Sequence, residues 1–129
     1  MKDRRKFLRF PVRLNARYSE EHKEDGVRQC SIVDISREGL GLVVYLRDKL
    51  PIGRKLHFMV DVPTKEKSVC FAGVLGWIKA LKKDPDYNFQ GGIRLTSIDS
   101  EDKWVLLDYA YETWKEIQEE GSGKEEPSK

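Results

Sequence analysis

Two short stretches hold residues whose types and spacing suit recognition chemistry: RRKFLRF, Arg4 to Phe10, and DISREG, Asp34 to Gly39. A guanidinium is planar and permanently charged. It can place two parallel hydrogen bonds on a phosphate or on the O6/N7 edge of a guanine, and it stacks on flat π-systems. Arginine at Arg4, Arg5 and Arg9, with Lys6 between them, therefore suits recognition of shape as well as charge. Asp34 offers a carboxylate that can accept from the N1–H and N2 amino group of a guanine, an edge that arginine cannot read. Ser36 offers a short hydroxyl that can donate to a phosphate oxygen or a carbonyl. Gly39 lets the backbone take positive φ or approach a ligand without a Cβ in the way. Taken alone, Asp, Ser and Gly are also ordinary turn residues between two strands.

The elements that must position these residues follow from periodicity. VRLNARY alternates Val12, Leu14, Ala16 and Tyr18 against polar neighbours, the period of a half-buried strand. VRQCSIVDI resumes strand character after the polar SEEHKEDG, and LGLVVYL follows the SREG break. KLHFMVDV alternates through Leu56, Phe58, Val60 and Val62. SVCFAGVLGWIKAL reads as a long strand in which Gly73 and Gly76 predict a bend or bulge, and FQGGIRLTSI closes the series. From Ser100, a good N-cap residue, the period changes. Trp104, Leu107, Tyr111, Trp114 and Ile117 recur at three- and four-residue steps and predict one amphipathic helix packing an aromatic stripe into the core. About six antiparallel strands and a terminal helix predict an all-β fold with one C-terminal helix, a small barrel that removes its own sheet edges. The expected organisation is a basic flexible segment over residues 1–10, a barrel and helix over 11–120, and a disordered tail over 121–129.

Composition narrows the function classes. The chain has 129 residues, enough for one core, with 39% hydrophobic and 36% charged residues. Up to Tyr18, seven cations stand against the single anion Asp3, whereas from Ser100 onward nine acids oppose four lysines. A basic head of this kind calls for an anionic partner or is simply solvated. The longest apolar stretch, Val69 to Ile78, is far too short for a membrane helix, and the N-terminus lacks the apolar run of a secretory signal. A cytoplasmic location without membrane insertion is expected. Cys30 and Cys70 are read as two small buried hydrophobes rather than a disulfide, and His22 and His57 show no metal-ligand spacing. No metal and no cofactor are expected. Ser36 has no evident base partner, and His57 lies in an apolar strand pattern, which argues against an enzyme.

Arg5-x-x-x-Arg9 followed, after 24 residues, by Asp34-x-Ser36-x-x-Gly39 resembles the two-part signature of the PilZ domain family, RxxxR and (D/N)xSxxG. RRKFLRFPV leading into a strand, Gly76-Trp77, Gly91 to Leu95 and the terminal helix match as well, so the resemblance covers Arg4 to Lys115. One departure is Leu95, where the family often has an aromatic; Arg94 beside it either adds to a positive surface or is solvated.

The resemblance implies a six-stranded antiparallel β-barrel of PilZ type that acts as a bacterial receptor for cyclic di-GMP. Arg5 and Arg9 would contact guanine edges and phosphates, Asp34 and Ser36 would hold a guanine and the adjacent phosphate, and Gly39 would permit the turn. Arg4 would add a stacking surface, as a basic residue there is associated with an intercalated ligand dimer. Ligand phosphates would cancel the repulsion within residues 2–10 and order them, creating a surface for an unidentified downstream effector protein. The protein itself is expected to be a monomer or weak dimer. Two other readings stand beside this one: a PilZ-like protein adaptor that binds no ligand, and a nucleic-acid-binding small barrel, which the neutral or acidic remainder of the chain disfavours.

Overall fold

In a computed structural model of the chain, residues 9–21, 26–38, 40–63 and 67–125 are described. Six strands run in the order β1 (Arg9–Glu20), β2 (Arg28–Ser36), β3 (Gly41–Leu46), β4 (Lys55–Val62), β5 (Lys67–Ala80) and β6 (Phe89–Ile98), followed by helix α1 (Ser100–Glu125). They close into a barrel with neighbour order β1-β2-β3-β6-β5-β4, every pair antiparallel. Closure pairs both edges, so the sheet leaves none open to another chain.

Alternation builds the core. Val12, Leu14, Ala16 and Tyr18 of β1 point inward with Leu56, Phe58, Val60 and Val62 of β4, all buried. Phe58 stacks on Phe71 of β5 with ring centroids 5.1 Å apart. In β5 the register against β6 shifts between Ala72 and Gly73 and again between Leu75 and Trp77. The two glycines therefore mark real irregularities. A Cβ on Gly73 would stand 2.9 Å from the Arg94 carbonyl oxygen and 2.5 Å from Ile93 Cγ2, so only glycine fits that approach.

A second irregularity decides where Asp34 points. Cys30 and Ile32 are buried, and unbroken period two would bury residue 34 as well. Instead the register of β2 against β3 steps from Ile32↔Val44 directly to Asp34↔Val43, leaving Val33 as a bulge. The phase flips: Ile35 is buried, and Asp34 emerges on the outer surface.

Four expectations need amending. Arg9 and Phe10 are strand residues, paired with Ser36 and Ile35, because Phe10 is buried against the helix. The helix backbone continues to Glu125, into the segment read as a tail; good helix formers such as Glu116 and Gln118 precede Gly121 and Gly123, each about 1 kcal/mol worse than alanine there. The helix also buries a different face. Leu106 and Ala110 seat it on the barrel, mainly against β1, and Leu107 and Trp114 are partly covered, whereas Trp104, Tyr111 and Ile117 are 71%, 44% and 49% exposed. Small Ala110 allows close approach, and the apolar arc is wider than the strip of barrel beneath it. Cys30 is buried, with its thiol pushed up to about 12 by burial, but Cys70 lies exposed on the outer face of β5; both are free.

Candidate functional site

The hairpin of β1 and β2 joins the two motif stretches. Arg9 pairs with Ser36 and Pro11 with Asp34, which sets the Arg9 side chain diagonally beside Asp34. Arg9 donates from Nε to Asp34 Oδ1 at 2.8 Å, with both side chains about one-third exposed. Burial pushes the Asp34 carboxyl above its ordinary value, and the Arg9 charge and hydrogen bond oppose that rise.

Ser36 stands at the end of β2 with its hydroxyl turned into the following turn. Its Oγ accepts from the backbone N–H of Leu40 at 2.9 Å and of Gly41 at 3.1 Å. With its lone pairs occupied in this way, what the hydroxyl has left for a ligand is its O–H. Ser36 thus braces the turn that carries the end of the motif. Arg4, Arg5 and Gly39, the other residues the sequence singles out, lie outside the described residues.

Sequence reasoning missed Arg37, an unspecified position within DISREG. Its guanidinium lies 4.9 Å from the ring centroid of Phe10 and 5.4 Å from that of Trp114, and its Nε is buried with no hydrogen-bond partner among the described residues. Phe10 in turn packs edge-on against Tyr111 at 6.2 Å. One arginine therefore links the motif turn, the start of β1 and helix α1. The only signal in the sequence was a cation in a turn, which does not disclose which aromatic rings it meets.

Beside the Arg9–Asp34 pair, a groove of about 430 Å3 runs over the outer face of β3, β6 and β5. Arg9 and Arg94 bring charge to it, Leu40 and Trp77 bring apolar surface, and Gly41 and Gly92 pave its floor. A Cβ on Gly92 would stand 2.0 Å from Trp77 Nε1, so the glycine is what allows the indole to lie against the sheet. Arg94 is exposed here and lines the groove. A roomier groove of about 480 Å3 around His57, Met59 and Cys70 contains none of the motif residues. The smaller groove has the chemistry for an anion bearing flat rings, since it joins guanidinium groups to an exposed indole and a carboxylate stands at its edge.

Among the described residues no three His, Cys, Asp or Glu side chains come together as a metal site, and no helix is long and apolar enough to cross a membrane.

No curated protein sequence matches the chain. Among solved structures, the chain is similar to the Bacillus subtilis inhibitor of motility MotI/DgrA, with 21% identity, a TM-score of 0.64, and coverage of 82% of this chain and 48% of that one. This chain thus spans about half the length of that protein. It also resembles the PilZ domain of YcgR from Escherichia coli, solved with c-di-GMP, at 12% identity and a TM-score of 0.62 over 90% of this chain and 95% of that one. The PilZ domain of CeSA from a cellulose-synthesizing bacterium is similar at 9% identity and a TM-score of 0.55, covering 81% and 96%. At these identities the likeness speaks for the fold. The family model for the PilZ domain matches residues 3–112, most of the chain, and with the closed six-stranded barrel and terminal helix it makes this protein a member of the PilZ domain family.

Proposed function

We propose that the chain is a non-catalytic receptor for cyclic di-GMP. The observation that carries this reading is the Arg9–Asp34 pair on the outer barrel surface, beside a groove that also holds Trp77 and Arg94. Cyclic di-GMP brings two phosphate charges and two guanines. Arg9 holds Asp34 through Nε, so the terminal amino groups of its fork meet a guanine O6/N7 edge or a phosphate oxygen. Asp34 accepts from guanine N1–H and the N2 amino group. Ser36 donates to the neighbouring phosphate, and Gly39 keeps the turn free of a Cβ. Arg5 supplies the second guanidinium and Arg4 a stacking face.

The signal follows from the charge of the leading segment. Lys2, Arg4, Arg5 and Lys6 repel one another until ligand phosphates neutralise them. The segment then settles on the barrel and forms a surface for an effector protein. Equilibrium dialysis against cyclic di-GMP, with GTP and GMP as competitors, tests the receptor; binding that GTP displaces equally well would contradict it. Hydrogen exchange tests the switch, and equal protection of residues 2–8 with and without ligand would count against it.

A further inference from the structure

The aromatic stripe of α1, of which the barrel leaves Trp104 and Tyr111 exposed and covers Leu107 and Trp114 only in part, is an interaction surface, and we propose that its occupant is the same stripe on a second copy of this chain, paired in parallel. Trp104, Leu107, Tyr111 and Trp114 are spaced three, four and three residues apart, the a and d positions of a heptad repeat. The seat of the helix on the barrel is about a quarter turn away, at Leu106 and Ala110. Trp104 is 71% exposed and Tyr111 44%, a large aromatic surface for one helix face.

A second copy fits this surface for three reasons. The pattern is self-complementary: in a parallel pair Trp104 meets Trp104 and Tyr111 meets Tyr111, with Leu107 and Trp114 completing the layers between and beyond them. Charge agrees, because Lys103 at a g position comes beside Asp108 at the e position of the second copy, a contact that adds to the one Asp108 already has within its own chain and that occurs twice by symmetry. Room agrees as well. Buried Ala110 marks the g side as the barrel side. In a parallel pair g faces e, so the two barrels lie on opposite sides of the seam, whereas an antiparallel overlap of the same stripe would bring g to g and drive the barrels together. Two heptads are too short to hold an isolated coiled coil, but this helix is already formed on its barrel, so pairing does not have to order it.

The test is the mass of the full chain by sedimentation equilibrium at loading concentrations up to about 100 μM, above the micromolar dissociation constant expected of a short seam. The wild type should approach twice 15.0 kDa. Trp104→Glu should weaken pairing at least about tenfold while leaving the melting temperature and cyclic di-GMP binding intact, since the exposed Trp104 touches neither core nor motif. Lys103→Glu should weaken it too, and Lys103→Glu with Asp108→Lys should restore it. A wild-type monomer throughout, or a dimer indifferent to Trp104→Glu and to the charge swap, would overturn the proposal. Ligand binding is read separately, so this result and the receptor reading stand or fall apart.

Discussion

Arg9 and Asp34, 25 positions apart in the chain, are joined at 2.8 Å across the β1–β2 hairpin. Each belongs to a different motif, and the pair orients both: the carboxylate is held facing outward, and the guanidinium is held over the end of β2 instead of sweeping through solvent. A ligand meeting such a pair finds a preformed donor and acceptor side by side, which lowers the ordering needed on binding.

The protonation of Asp34 reports this pairing. Its folded-state value lies above the ordinary 3.8, chiefly through burial, with Arg9 pulling it back down. Any stability it contributes through this shift is present below the unfolded value and is lost as pH rises through the folded one. Arg9→Ala removes the lowering influence, so the Asp34 midpoint followed by carboxyl carbon NMR should move higher still. A midpoint that stays put or falls would mean that the pair does not persist in solution.

Arg37 ties the motif turn to the helix through Phe10 and Trp114. A double-mutant cycle with Arg37→Ala and Trp114→Leu should give a coupling of about 0.5–2 kcal/mol in chemical denaturation. Additive effects would break the link.

Gly92→Ala places a methyl group where the Trp77 indole lies. The ring must leave the sheet, at about 1–3 kcal/mol, and Trp77 emission should shift to the red as it enters water. Trp104 and Trp114 also emit, so a Trp104→Phe, Trp114→Phe background isolates the signal. Unchanged emission would show that the indole does not lie over Gly92.

The barrel was legible because its strands alternate cleanly and its turns carry Gly, Pro and Asp; even the irregularities at Gly73 and Gly76 showed as glycines inside a strand pattern. The family was legible through the spacing of RxxxR and DxSxxG. The bulge at Val33 was not, since a β-branched residue inside a strand carries no mark of being skipped in the ladder. Nor was the seat of the helix. Spacing finds an apolar stripe on a helix, but whether it faces the barrel or the solvent depends on how wide a strip the barrel offers. Here the small, weakly hydrophobic Ala110 took the innermost place while Trp104 stayed outside. Arg37 escaped notice for a related reason, because its partners Phe10 and Trp114 lie 27 residues before it and 77 after it and meet only in the folded chain.

Calorimetric titration of the purified chain with cyclic di-GMP, beside Arg9→Ala and Asp34→Ala, tests the central claim most directly. The account predicts selective binding to the wild type, weakened about ten- to hundred-fold by each substitution, as expected for losing a charged hydrogen bond worth about 1.5–3 kcal/mol. No binding by the wild type at millimolar ligand, or binding that both variants retain in full, would contradict it.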